Sequence, residues 1–337
     1  MSRRKGSALF VALVAGVICT TSTLAGSDTQ PSPGANLAGQ DLSGRDLTGA
    51  DLRGANLSRA KLEGTILTGA TLVGANLVGA NFTGADLRET YLREADARRV
   101  DLRRARLGGA DLTRADLRQA QLDGADLTRA VLENAQLSSA SFKQAFLPAA
   151  RLSRARLVRA ILDGAVLTAS DMRQADLTEA SLVRAELGAG RLAESAPDAA
   201  RMAGAILSKA NLSGANLVNV DLREAVLERA NLSGANLGWA DLTWARASGA
   251  NFSQASLAWA RGYGTDFRAA IFERANMTNT QLMGANLSRA DLRGAVLVGT
   301  SFEQADLTGA EFAGAEVTRV VFRSAKNVPT SVMGMGK

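Results

Sequence analysis

Apolar residues recur along this chain every five positions. Leu37, Leu42, Leu47, Leu52 and Leu57 open a series that runs to Phe322. Of the 58 positions at that spacing, 54 hold Leu, Phe, Met or Val, the exceptions being Ala97, Pro197, Ala247 and Gly262. Two residues ahead of each centre, Ala stands 45 times in 58. On an α-helix, steps of five turn the apolar position by about 500°, so the leucines would spiral round the axis without forming a stripe. On a straight strand the odd step would send successive leucines to opposite faces.

The Ala and the centre, two apart, share one side of a short extended piece. The next Ala follows three residues later, so the chain must turn a corner between centres. Corners near 90° close a square coil in four pentads, or 20 residues, with Leu and Ala inside. Such coils stack with parallel pairing at roughly 4.8 Å, giving about 14 coils and a rod of roughly 70 Å. Each buried Leu or Phe contributes roughly 1.5–3 kcal/mol, enough across the series to offset the ordering cost of the chain. Gly39, Gly44, Gly49 and Gly54, two residues past their centres, suit the corner conformation.

Runs such as Ala50-Asp51-Leu52-Arg53-Gly54 and Ala235-Asn236-Leu237-Gly238-Trp239 resemble the pentapeptide-repeat family, A-[DN]-L-x-x. The resemblance covers about 290 of 337 residues. It implies an all-β fold, a right-handed quadrilateral β-helix; the handedness comes from the resemblance alone. Well-understood members of the family are cytoplasmic topoisomerase-protecting proteins whose strongly acidic rods resemble duplex DNA. This chain is basic instead, which argues against DNA mimicry.

The N-terminus is a separate object. Arg3, Arg4 and Lys5 precede an apolar run from Ala8 to Cys19 and a small-residue stretch, Thr20 to Gly26. That order matches a secretory signal peptide over residues 1–25, with Thr23 and Ala25 as a cleavage pair. It predicts an exported protein, periplasmic or extracellular. The alternative is an uncleaved membrane anchor over residues 8–25. Residues 26–34 read as a linker, 35–324 as the repeat rod, and 325–337 as a C-terminal cap or tail. Residues 188–204, with Pro197 at a centre position, predict a loop or bend. Ala247 and Gly262 predict a second weak stretch over 245–264.

Composition narrows the chemistry. The chain has no His and one Cys, Cys19, inside the leader. The commonest general base and metal ligand is therefore missing, and so are disulfides, thiolate catalysis and zinc sites in a processed chain. The reading is non-enzymatic, with no cofactor and no metal. Lys and Arg number 39 against 33 Asp and Glu, a net charge of +6 that is too small to define a nucleic-acid binder.

What remains is surface. Residues 20 apart should stack in columns, giving amide ladders at Asn36, Asn56, Asn76 and at Asn211, Asn231, Asn251. Arg201, Asp221, Asp241 and Arg261 fall in another column; Asp221 and Asp241 are repeat residues there, since Asp or Asn fills that slot in 27 of 58 pentads. Sequons at Asn56, Asn211, Asn231 and Asn286 follow automatically from a repeat written A-N-L-S. Three surface features stand out as candidate sites. Trp239, Trp244, Trp259 and Tyr263 form an outward aromatic group suited to protein, glycan or a membrane interface. Phe146, Val166, Ile206 and Val226 are expected to form an apolar column, interrupted by Glu186, for a partner or a second copy. Arg88, Arg93, Arg98, Arg99, Arg103, Arg104 and Arg106 form a basic stretch that would attract anions, although Glu89, Glu94, Asp96 and Asp101 interleave with it and no aromatic ladder accompanies it for bases.

The leading expectation is an exported scaffold that binds a macromolecular partner, protein or envelope polysaccharide, with homodimerisation through the C-terminal end or the apolar column as a further option. The alternatives are a cytoplasmic topoisomerase-protecting protein and an envelope polysaccharide-binding module.

Overall fold

The computed structural model describes residues 31–188 and 198–333. The leader, with Cys19, and Pro197 lie outside them. The described chain contains no helix and repeats one five-residue unit of bridge, turn and corner. Counted from the Asp/Asn position, the first residue of each unit pairs in parallel with the first residue one coil on, as Asn36 does with Asn56 and Asn56 with Asn76. Four such columns, beginning at Asn36, Asp41, Asp46 and Asp51, mark the first, second, third and fourth sides of a square coil. The second residue (Leu) and the fifth (Ala) point inward, and from Leu52 to Leu307 nearly all of them are sealed from solvent.

Backbone hydrogen bonding accounts for the unit almost completely. The Leu42 N–H donates to the Lys61 carbonyl, Gly44 N–H to Glu63, and Lys61 N–H back to Gln40, all between coils; Arg45 N–H closes the turn onto Leu42. That leaves the third residue's N–H, which the Asp or Asn side chain of the same unit satisfies. Ser43 N–H donates to Asp41 Oδ1 at 3.1 Å, and Gly238 N–H to Asn236 Oδ1 at 3.1 Å. The preference for Asp or Asn at the first position is thus an Asx cap on an otherwise orphaned donor. Where the first residue is Ser141 or Ser181, an aspartate one coil below, Asp123 or Asp163, accepts the N–H instead. Phe146 has no cap to give, and its third residue is Pro148, which has no N–H to cap.

The fourth residue turns the corner in the left-handed region. Glycine occupies it in the first coils, with φ of 66° at Gly39, but Arg, Gln and Trp also take it, with φ of 57° at Arg99 and 65° at Trp259. L-residues adopt this region at a cost of roughly 1–2 kcal/mol. Their stems lean along the rod axis over the corner of the next coil, as Arg59 does over Gly79 and Arg104 over Gly124.

The twenty-residue register breaks once. Asp171 pairs with Arg201, Asp176 with Ile206, Ser181 with Asn211 and Glu186 with Asn216, each thirty residues on. The chain leaves the ladder at Gly188 and rejoins it at Asp198, whose carbonyl accepts from Ala169 N–H, while Ala200 N–H closes the turn onto Leu187. At Gly188 a Cβ would meet Val218 N at 2.5 Å, so only glycine fits where the chain departs. Two pentads are thereby left out of the ladder, and every later residue moves half a coil, to the opposite side of the square. Of the stretch 188–204, expected to be a loop or bend, residues 189–197 lie outside the described residues, and the coil is regular from Ala200 onward.

The second stretch expected to be weak, 245–264, is regular. Its small centres are filled by phenylalanine: a Cβ on Gly262 would press on Leu282 at 2.8 Å and Phe267 at 3.2 Å. Phe267 sits one coil above Ala247 and meets Phe252 and Phe272 edge-on, while Phe252 and Phe272 stack with centroids 5.0 Å apart. Inward threonines also stay satisfied, for example Thr265 Oγ1 donating to the Leu242 carbonyl at 2.7 Å. Beyond Phe322 the tail folds back: Val328 packs on the last coil and Val332 is buried, covering that end.

Candidate functional site

The three tryptophans occupy left-handed corners, and two adjacent corners hold them all. Trp239 and Trp259, one coil apart, are parallel within 3° with centroids 6.5 Å apart. Trp244 stands across the fourth side from them, its ring filling the space a Gly264 side chain would need. All three remain open to solvent, at 52%, 66% and 51% for Trp239, Trp244 and Trp259. Tyr263 is half-buried on the fourth side next to Trp244, whose N–H donates to the Tyr263 carbonyl, and exposed Met283 follows one coil on. Asp241, Arg261 and Gln281 run between the two corners.

The apolar column does not exist as expected. Phe146 and Val166 stack on the third side and continue into Glu186 and Asn216. Ile206 and Val226 stack on the first side, above Asp176 and below Arg246. The half-coil shift at Gly188 separates the two pairs onto opposite sides. The third-side pair keeps an apolar setting, with Pro148 and the small corners Ala149 and Ala169 beside it.

The basic stretch is a belt and not a patch. Each pentad turns the chain a quarter of the way round, so Arg88 and Arg106 fall on the third side, Arg93 on the fourth, Arg98 and Arg99 on the first, and Arg103 and Arg104 on the second. Most are also neutralised. Arg88 pairs with Asp86 at 2.6 Å, Arg98 with Asp96 at 2.7 Å, Arg103 with Asp101 at 2.5 Å, Arg93 with Asp111 at 2.5 Å, and Arg106 with Asp86 at 3.3 Å. Arg99 donates to Gln119. In each D-L-R pentad the guanidinium folds back onto the carboxylate two residues earlier; the Arg88 hydrogen bonds hold Asp86 below the usual carboxylate range. Arg104 alone of the seven has no such partner among the described residues, and one exposed guanidinium is a weak anion site.

The most buried charge is Asp171, 7% exposed, beside the register break. Burial alone would raise its pKa, but bonds from Arg173 at 2.6 Å and Arg201 at 2.8 Å outweigh it and hold the group ionised below the usual range. Arg201 reaches it only because ten residues are left out of the ladder, so the pair clamps the coils on either side of the departure. Asp221 likewise belongs to Arg223, at 2.8 Å, and is a structural carboxylate. The first amide ladder forms as expected, Asn56 donating to Asn36 and Asn76 to Asn56, each near 3.1 Å. The second stops at Asn231, which donates to Asn211 at 3.1 Å; among the described residues Asn251 pairs with Asn231 through the backbone alone. Among the described residues no group of three or more His, Cys, Asp or Glu is placed to hold a metal ion, and no helix is long and apolar enough to cross a membrane.

Comparison with known proteins follows the same repeat. Among solved structures the chain is similar to HetL, a pentapeptide repeat protein involved in heterocyst differentiation regulation in the cyanobacterium Nostoc, at 26% identity over 87% of each chain with a TM-score of 0.27. It is similar to a pentapeptide repeat protein of the Arabidopsis thaliana thylakoid lumen at 35% identity, covering 28% of this chain and 66% of that one, with a TM-score of 0.28. It also resembles QnrB1, a plasmid-mediated fluoroquinolone resistance protein, at 16% identity over 49% of this chain and 87% of that one, with a TM-score of 0.32. No curated protein sequence matches. The pentapeptide-repeat family model matches eight times, over residues 34–69, 65–104, 105–144, 150–188, 205–243, 235–261, 250–289 and 285–323. With the five-residue unit and its four-sided coil already established from the backbone, these matches show that the chain belongs to the pentapeptide-repeat family and adopts its right-handed β-helix.

Proposed function

We propose that this protein is an exported, non-enzymatic scaffold that binds a macromolecular partner through the tryptophan-bearing coils. One observation carries the reading. Trp239, Trp244 and Trp259 have φ of 56°, 60° and 65°, at corners where glycine is the strain-free choice, and they bury no more than half their surface in return. A large aromatic that costs about 1 kcal/mol or more in backbone strain and stays exposed contributes little to the fold; the contact it serves lies outside the molecule. The order of charges, apolar run and small residues before Gly26 supports export. A topoisomerase-protecting role has less support. It would call for a continuous acidic side, whereas aspartates here are repeatedly cancelled by an arginine two residues on.

Cell fractionation with N-terminal sequencing tests the compartment: a processed chain outside the cytoplasm is expected, and an unprocessed cytoplasmic chain would refute export. Affinity capture with the wild type and with a triple Trp239→Ala, Trp244→Ala, Trp259→Ala variant tests the surface. Loss of the captured partner at an unchanged unfolding midpoint is expected; full retention would refute the role of these coils.

A further inference from the structure

The third side of the rod changes character after the register break. Glu186 and Glu316 bound five coils, Asn216 through Thr300, whose outward residues on that side carry no charge at all: Asn216, Val218 and Asn219, then Asn236, Gly238 and Trp239, then Ser256, Ala258 and Trp259, then Asn276, Thr278 and Asn279, then Val296, Val298 and Gly299. Charged residues make up 21% of the chain, and this strip, roughly 20 Å long at the coil spacing, excludes them. One edge is walled by the parallel indoles of Trp239 and Trp259. At the level of the first two coils the other edge is low, because Gly214 and Gly234 occupy its corners.

Asn216 spends its amide N–H₂ on Glu186, and the Thr278 hydroxyl donates to Asn276, but three polar groups between them are spare. In the ladders at Asn36 to Asn76 and at Asn211 to Asn231, the amide N–H₂ groups of Asn56, Asn76 and Asn231 are spent on the amide one coil below. On the third side the side-chain carbonyls of Asn236 and Asn276 accept the N–H of Gly238 and Thr278, but neither Nδ2 has an acceptor among the described residues. Ser256 lies between them in the column, its hydroxyl likewise without a partner there. Three successive coils therefore offer an outward donor row beside two indoles, with no charged residue on that side; the opposite corner beside Asn276 carries Arg274, which pairs with Glu273 at 3.9 Å.

Resting on the exported-scaffold reading, we infer that this strip binds an uncharged, extended polysaccharide chain along the rod axis. Such a chain has apolar ring faces that lie against indoles and hydroxyl rims that pair with amides and hydroxyls. It carries no charge, so the strip loses nothing by lacking one. An anionic polymer would find no cation on it. A protein partner would bury about 800 Å² on each side, whereas the apolar part of the strip is two indoles, one alanine and three valines, of which Val218 is buried.

Co-sedimentation of the full chain with insoluble cellulose, chitin and mannan, at low and high salt, tests this, with soluble alginate as an anionic competitor. Retention by at least one neutral polymer is expected, indifferent to salt and to alginate. It should weaken about tenfold or more in a Trp239→Ala, Trp259→Ala variant, and measurably in an Asn236→Ala, Asn276→Ala variant. Urea midpoints on each variant separate lost binding from lost folding. Retention by none of the three polymers, retention abolished by salt, or equal retention by both variants in folded form would overturn the inference. Capture of a protein partner that the strip variants lose, without polysaccharide binding, would overturn it while leaving the scaffold reading intact. A chain found only unprocessed in the cytoplasm would remove the scaffold reading itself.

Discussion

Trp244 lies in the space where a side chain of Gly264, one coil further on, would have to go. The two residues share one corner column, and the ring can lie along the rod only because its neighbour has no Cβ. Both adopt the left-handed conformation, with φ of 60° and 64°.

Substitution at the two positions should therefore act in opposite directions. Trp244→Gly removes a strained backbone position and an exposed ring, and the urea midpoint should stay level or rise, unlike the roughly 3–5 kcal/mol lost when a buried Trp is truncated. Gly264→Ala should cost about 1 kcal/mol in backbone strain and displace the indole, shifting its fluorescence. A large loss of stability in Trp244→Gly would show that the ring braces the coils.

The inside and outside of the unit make a second contrast. Leu127 is fully buried, and Leu127→Asp places a carboxylate among leucines at a cost of several kcal/mol. Thr128, the next residue, faces outward and donates its hydroxyl to Asp126. Thr128→Asp loses that bond and adds a like charge, for about 1 kcal/mol or less. Denaturant midpoints of the two variants should differ severalfold in their displacement from wild type.

The Asx cap predicts which outward substitutions help. Val226 occupies a first position, and the N–H two residues on, at Glu228, has no partner among the described residues. Val226→Asn should supply one and stabilise by about 0.5–1.5 kcal/mol. Phe146→Asn should gain nothing from the same change, because Pro148 has no N–H. Equal gains at both sites would refute the capping account.

Acid should act on Asp171. Its folded pKa is depressed, so the stability its ionised form contributes is present above the unfolded value near 3.8 and is lost as pH falls through the lower folded value. Asp171→Asn should be less stable than wild type at neutral pH, and the gap should close below about pH 4. A gap that persists unchanged into acid would mean that Arg173 and Arg201 do not act through that charge.

The period of five made the coil, its inward residues and the tryptophan corner legible, because a packing rule enforced by every Leu leaves a mark in every pentad. Handedness is not written in that period. The half-coil shift was equally hidden: leaving out ten residues preserves a period of five while changing which side each later residue faces. Phe146 and Ile206 therefore read as one column and stand on opposite sides. The uncharged strip keeps a twenty-residue spacing from Asn216 to Val296 and so was legible in the sequence; only its place above Glu186 depends on the shift. Gly188, followed by a centre position holding Pro197, was the one signal that could have pointed to it.

That shift is testable by cross-linking. Paired first positions on adjacent coils lie within the Cα separation a disulfide accepts, roughly 4.4–6.8 Å. Asp176 pairs with Ile206, thirty residues away, whereas a simple twenty-residue register would pair Glu186 with Ile206. The double variant Asp176→Cys, Ile206→Cys, made in a chain with Cys19 replaced by Ser, should oxidise readily to an intramolecular disulfide visible by mass spectrometry. Glu186→Cys with Ile206→Cys should stay reduced under the same conditions, its two thiols on opposite sides of the rod. The reverse outcome would restore Phe146, Val166, Ile206 and Val226 to one face and would move the uncharged strip off the Glu186 column onto the Asp176 column, its own five coils staying together.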